Sequence, residues 1–295
     1  VTFPLGDKEI FGLGQGFATP MDRRGESYNM QRHGQKPDSV FEYATISAIP
    51  YIISREGWGL FFHEPIKGVI DLSGDVGKFT CLPKEYRDVF VMNYDKPETA
   101  ATIYYKLTGK SLIPPKYSFG YQQSFREMYH NGESIVMSTA EYMRDNDIPC
   151  DMLIYLGRYV EYGWNTYTHN GMFEFNEKSF PNPPETIENL HDMNYRVALH
   201  ITETASALHG NVDDEDVNPL EYDHVKNFWD RHIELYKYSN IDAWWPDDGD
   251  ELDIAAFTSR YKMYYDGTKK LTPNKRGFYM SRNSYCGDTK YGGII

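Results

Sequence analysis

The sequence predicts two architectures in series: a β-sandwich portion over residues 1–113, then an α/β barrel of the (β/α)8 TIM type over residues 114–295, with about the first five βα units present. Three observations predict it. Up to Pro114-Pro115, short apolar or alternating runs are broken by Gly, Asp, Pro and Lys, as in antiparallel strands joined by turns. Beyond the prolines, extended runs alternate with segments carrying apolar residues every three or four positions, as in parallel strands joined by helices. Trp, Asp, Arg and Gln gather where those runs end, the face that carries chemistry in a barrel.

In the first part, Tyr51–Ser54, Trp58–Phe62, Gly68–Leu72 and Val89–Met92 read as strands. In the second, the strands are Tyr117–Ser124, Asp151–Leu156, Arg196–Thr202, Ile241–Pro246 and Arg276–Ser281, and the helices Ile135–Asn146, Pro184–Asn194, Val225–Tyr238 and Ile254–Tyr265. Thr204–Asp223, with the acid run Asp213–Asp216, is long for a βα connection and reads as a surface excursion over the barrel mouth. Five units are not eight, so the expectation is a barrel completed by sequence outside this stretch; the alternative is an open α/β sheet.

Composition excludes several classes. With 40% apolar and 16% aromatic residues, 295 residues can bury a sizeable core. Lys and Arg total 30 against 43 Asp and Glu, a formal charge of −13, which repels nucleic acid and leaves neutral substrates as the better partners. Cys81, Cys150 and Cys286 are far apart, without metal or disulfide spacing. No apolar run is long enough for a membrane span, and Val1-Thr-Phe-Pro begins in mid-pattern with no signal peptide. No glycine-rich phosphate loop, dinucleotide fingerprint or serine nucleophile elbow is present, so no cofactor and no metal are expected.

Ile241–Glu251 carries the chemistry. Trp244 and Trp245 run into Asp247, Asp248, Asp250 and Glu251: flat apolar faces for pyranose C–H bonds beside carboxylates able to attack or stabilise an oxocarbenium-like carbon. The residues alone leave the nucleophile open among Asp247, Asp248 and Asp250. Strand alternation sends the two indoles to opposite sides, so one only can face the barrel axis.

The order of motifs resembles glycoside hydrolase family 31, the retaining α-glycosidases that include α-glucosidases, α-xylosidases and some α-galactosidases. Phe11-Gly-Leu-Gly-Gln15 resembles a glycine-bearing sandwich segment, Pro114–Tyr121 the entry to the first barrel strand, Ile148-Pro-Cys-Asp151 the second strand and Phe180-Pro-Asn-Pro183 the turn before the next helix. Trp245-Pro-Asp-Asp-Gly-Asp250 is similar to the nucleophile motif of strand four, and Arg282–Gly293 to the run leading to the acid/base motif.

The resemblance implies that Asp247 is the nucleophile of a retaining hydrolysis through a covalent glycosyl-aspartate, with Trp245 walling the sugar site, Arg282 binding substrate and keeping nearby carboxylates charged, and Asp248 beside them. From the same face Gln123, among Gln122, Ser124 and Arg126, is expected to reach sugar hydroxyls, and Trp164 to stack on a leaving-group sugar. His200 closes strand three and reads as a hydrogen-bonded core residue. The family's acid/base aspartate lies in a Trp-x-Gly-Asp motif expected beyond Ile295, and Asp288 reads as a turn residue.

Two departures bear on the sugar. Gluco-specific members carry an aspartate at the end of strand two and another on a sandwich loop, where this sequence has Leu156 and Met30. Losing a carboxylate partner for a buried hydroxyl costs about 1–3 kcal/mol, enough to change the epimer bound. The expectation is therefore an α-galactosidase- or α-xylosidase-like enzyme acting on an oligosaccharide or glycoside, with Arg158 turned towards the site. The alternative is a carbohydrate-binding barrel without its general acid. The acidic, aromatic composition and the family's habits favour the periplasm or the cell exterior over the cytoplasm.

Overall fold

The structure is a computed structural model, and it describes residues 1–16, 20–30, 45–63, 68–81, 88–157, 163–165, 173–202, 222–247, 254–281 and 284–294. The chain forms two compact units: Val1–Ser111 with Asp250–Thr258 and Asn283–Lys290, and Leu112–Gly249 with Ser259–Arg282 and Tyr291–Ile295. Two late segments thus cluster with the first unit rather than with the region expected to be barrel.

The first unit contains β1 (Thr2–Pro4), β2 (Ile10–Gly16), β3 (Ser27–Asn29), β4 (Thr45–Ser54), β5 (Trp58–His63), β6 (Gly68–Asp71), β7 (Val76–Cys81), β8 (Asp88–Asn93) and the helix α1 (Pro97–Thr108). One antiparallel sheet runs β1-β7-β6-β3; the other runs β4-β5-β8, with β2 against β4. Phe3, Tyr28, Ile70 and Phe79 from the first sheet share an apolar core with Ile10, Ile52, Leu60 and Phe62 from the second. Each such side chain contributes about 1.5–3 kcal/mol by leaving water. The other face of the second sheet buries Tyr51, Phe61 and Met92 with Ala100, Ile103 and Tyr104 of α1. β1, β2, β3 and β7 lie outside the runs read from sequence. β1 and β3 are only three residues long, and β2 is punctuated by glycines that mimic a turn.

The second unit begins with a 3-10 turn at Lys116–Phe119, where a strand is expected; the Ser118 N–H and hydroxyl both return to the Pro115 carbonyl. Then come β9 (Gln122–Phe125), the hairpin β10 (Tyr129–His130) and β11 (Glu133–Ser134), α2 (Val136–Asp145), β12 (Met152–Tyr155), α3 (Pro183–Asp192), β13 (Arg196–Thr202), α4 (Tyr222–Ser239), β14 (Ala243–Asp247), α5 (Ile254–Leu271) and β15 (Phe278–Ser281). The hairpin turns on Asn131-Gly132, both at positive φ, a dipeptide signal the sequence reading passes over. β16 (Ser284–Tyr285) pairs in parallel with β4 of the first unit's sheet, and β17 (Gly293–Ile294) pairs with β15.

The resulting parallel sheet has the order β17-β15-β14-β13-β12-β9, so a sixth short strand joins the five expected ones. α5 continues past Tyr265 to Leu271 through Gly267, where a Cβ would overlap the Trp229 indole. Helix propensity argues against that glycine, and close packing against Trp229 overrides it. Of the expected excursion at 204–223, Tyr222 and Asp223 open α4 and the remainder lies outside the described residues.

Both faces of this sheet are covered. Leu153, Tyr155, Val197, Leu199, Ile201, Trp244 and Tyr279 face the helices. Met152, Ile154, Ala198, Ala243 and Phe278 face the other way, with Tyr117, Trp245 and Met280 packed on them. Register sets the rows: Ile154 lies level with Ser124 and Ala198, Ala198 with Ala243, and His200 with Trp245.

On the helical side, His232 is wholly buried among Phe228, Trp229, Trp244 and Tyr264, each ring centroid within 4.7–5.2 Å. Its Nδ1 donates to the Phe228 carbonyl and its Nε2 accepts from the Tyr264 hydroxyl. Burial pushes the ring down from 6.5 to about 3, against the opposing pull of the Phe228 carbonyl. The unfolded ring takes a proton near 6.5 while the folded ring stays neutral, so this contribution is complete above about 6.5 and is lost as pH falls towards 3. Denaturant unfolding at pH 7 and pH 5 is expected to show stability falling by about 1 kcal/mol per pH unit from this residue, with His232→Leu flattening that dependence while lowering stability at pH 7.

Candidate active site

β14 carries the centre of the site. Ala243, Trp245 and Asp247 alternate onto one face and Trp244 goes to the helices, where its ring meets His232. Among the described residues β14 pairs with β15 at Ala243 and Trp244, and the stretch containing Pro246, which has no N–H to donate, pairs with β13. Asp247 ends the strand level with Thr202, two residues beyond the Trp245–His200 pair.

His200 reaches up from β13. Its Nε2 lies 3.0 Å from Asp247 Oδ2, with the imidazole side chain 4% and the carboxylate 17% exposed. The Trp245 ring stands edge-on to the imidazole, centroids 4.8 Å apart at 72°. An aspartate, an indole and an imidazole thus converge at the C-terminal ends of two neighbouring parallel strands, the end where parallel α/β folds place their chemistry. A cavity of about 390 Å³ lies at the other end of the strands, around Tyr117, Arg196, Asp242 and Gly277, and includes none of these three side chains.

Trp164 corrects the reading of an exposed stacking platform. It is 0% exposed and sits in the helix-side core, edge-on to Phe175. Its Nε1 donates to the His200 carbonyl at 2.7 Å, its backbone N–H bonds the Leu156 carbonyl, and its own carbonyl takes the Asn176 N–H. A buried indole needs a partner for its N–H, and a strand carbonyl provides one.

Gln123 also falls elsewhere. It is level with Leu153, whose side chain faces the helices, and its amide bonds the Tyr121 hydroxyl and the Ser124 carbonyl. One step along the strand, Ser124 shares the inner row with Ile154 and Ala198. Arg282, Arg158 and Asp248 lie outside the described residues, as does Asp250. Asp288 is buried in the first unit, accepting from the Tyr285 N–H and the Thr258 hydroxyl, as a turn-stabilising carboxylate does. From sequence His200 reads only as a hydrogen-bonded core residue. Its position two residues before the end of β13, after the small Ala198, is the signal that could have placed it beside the Asp247 carboxylate.

Residues 111–226 match the model of the glycosyl hydrolases family 31 TIM-barrel domain. That match, together with α-xylosidase and α-glucosidase relatives, supports glycoside hydrolase family 31. The chain's fold is TIM-barrel-like with further sheets, similar to a family 31 dextranase from Flavobacterium johnsoniae complexed with glucose (TM-score 0.83, 19% identity, 99% of this chain and 41% of that one). It is likewise similar to a family 31 α-xylosidase from a soil metagenome complexed with xylose (TM-score 0.79, 16% identity, 99% and 47%). Among curated proteins, the chain is 26% identical to an α-xylosidase of Saccharolobus solfataricus, over 96% of its own length and 41% of that protein. It is 24% identical to α-glucosidase 2 of Bacillus thermoamyloliquefaciens, over 96% and 42%. The chain therefore spans about two fifths of the length of these curated relatives. Among its described residues, no helix is long and apolar enough to cross a membrane.

Trp164→Phe removes the donor to the His200 carbonyl and keeps most of the buried ring. Thermal or denaturant unfolding is expected to show a loss of about 1–3 kcal/mol, the cost of an unsatisfied buried carbonyl plus a small packing defect.

Proposed function

We propose that this chain is the nucleophile-bearing part of a retaining α-glycosidase, with Asp247 as the nucleophile. The observation that carries this reading is the half-buried Asp247 carboxylate at the end of β14, on the same face as the Trp245 indole and hydrogen-bonded to His200. An Asp247 oxygen attacks the anomeric carbon as the glycosidic C–O bond breaks, and the departing oxygen takes a proton from a carboxylic acid. Water then opens the glycosyl ester, and two inversions give net retention. The family resemblance puts the proton donor in a Trp-x-Gly-Asp motif, which residues 1–295 do not contain. On the same reading Trp245 walls the sugar site, and Arg282, Asp248 and Arg158 complete the substrate contacts; Trp164 acts from the core rather than on sugar.

The substrate is a terminal α-linked sugar of an oligosaccharide or glycoside, with xylo or galacto configuration favoured over gluco. Leu156 and Met30 support this, since both are buried apolar side chains where gluco-specific members carry carboxylates. A curated α-xylosidase among the relatives is in keeping with it, and an α-glucosidase among them keeps the gluco sugar as the competitor.

The complete protein is expected to hydrolyse p-nitrophenyl α-xyloside or α-galactoside faster than the α-glucoside, and to be labelled covalently at Asp247 by a matching fluoroglycoside. Asp247→Ala is expected to abolish the label and to lower kcat by at least about 10³-fold. Carbohydrate binding without any label in the wild type would instead mark a non-catalytic binder.

A further inference from the structure

His200 has no chemical task legible in the sequence, yet its surroundings hold it closely. The residue is 3% exposed, and three separate contacts fix it: Nε2 to Asp247 Oδ2, the imidazole edge-on to Trp245, and the backbone carbonyl to the buried Trp164 Nε1. The Trp164 bond pins the strand at the residue whose side chain meets the carboxylate. Neighbouring parallel strands are nearly rigid relative to each other, so pinning β13 at His200 also fixes where Nε2 stands against the end of β14.

The tautomer follows from the partners. An ionised carboxylate only accepts, so the hydrogen lies on Nε2. Nδ1 is buried and has no hydrogen-bond partner among the described residues. With the hydrogen on Nε2, that second nitrogen is a bare lone pair; the other tautomer would aim a lone pair at the carboxylate and bury an N–H without an acceptor.

We propose that His200 is a positioning residue for Asp247, donating one hydrogen bond from Nε2 that holds the carboxylate in its attacking rotamer and stabilises its charge when it departs. The proposal rests on the reading of Asp247 as nucleophile. In the first step that bond to Oδ2 limits the rotation of a group that must approach the anomeric carbon in line. In the second step, water attacks the same carbon, the ester C–O bond breaks and its electron pair returns to the Asp247 oxygen, while the water proton passes to the carboxylate that earlier served as the acid. A donor already in place meets the returning charge without reorganisation.

The test uses the complete protein, a p-nitrophenyl α-glycoside that the wild type hydrolyses, and the fluoroglycoside of the same sugar. His200→Phe keeps an aromatic ring against Trp245 and loses the donor; His200→Gln places an amide N–H within reach of the same oxygen. His200→Phe is expected to lower kcat about 10- to 100-fold, the scale of a misplaced reacting group. Its labelled form is expected to reactivate more slowly by a similar factor, with KM unchanged or lower, and His200→Gln is expected to recover most of the loss. If His200→Phe stays within two-fold of wild type in turnover and reactivation, or if both variants fold and lose equally, the donor role is wrong. Should the phenylalanine variant fail to fold, His200→Leu against His200→Gln makes the same comparison. Asp247→Ala is run alongside: a variant that still takes the label overturns the nucleophile reading itself, whatever the His200 variants do.

Discussion

A strand buried on both faces offers its side chains only two environments, and β14 uses each for a different tryptophan. Trp244 anchors the strand to α4 and α5 through the aromatic cluster around His232, and Trp245 stands on the opposite face with Asp247 two residues further on. Because the period is two, the indole that fastens the strand also decides which way the carboxylate points. A slip of one residue would send Asp247 into the helical layer. The register with β13 then fixes the neighbour, since pairing of His200 with Trp245 brings the imidazole within hydrogen-bonding distance of the carboxylate.

The two buried histidines show how environment assigns roles to one side-chain type. His232 satisfies both ring nitrogens internally, one with a helical carbonyl and one with a tyrosine hydroxyl, and lies wholly in the apolar layer. His200 has one nitrogen on a carboxylate and the other on nothing described, at the end of the strands where function sits. The first arrangement is what stability asks of a buried imidazole. The second leaves hydrogen-bonding capacity that packing alone does not explain.

Much of the second unit was legible because parallel strands buried on both faces read as apolar runs and their helices as three-to-four spacing. Arg196–Thr202 coincides with β13, and the helices differ from their expected spans mainly at the ends. What sequence could not supply was three-dimensional circumstance. Nothing local tells that Gly267 sits under the Trp229 ring and lets α5 run on, or that Ser118 closes a turn onto Pro115. At the site, alternation correctly separated Trp244 from Trp245, because only the parity of two adjacent residues was needed. It could not orient Gln123, whose strand starts later than the apolar run before it implies, nor bury Trp164, whose partner carbonyl lies 36 residues away.

The placement of β16 has a consequence for synthesis. Ser284 and Tyr285 extend the sheet of β4, whose other strands are complete by residue 93, so the first unit's hydrogen-bond ladder has a member encoded almost two hundred residues later. A ribosome releases the chain from the amino end, and most of the parallel sheet therefore emerges before that edge can be filled. The ladder is thus completed only after β15, and a chain ending before β16 lacks the parallel partner of Ser47 and Ala48 on β4.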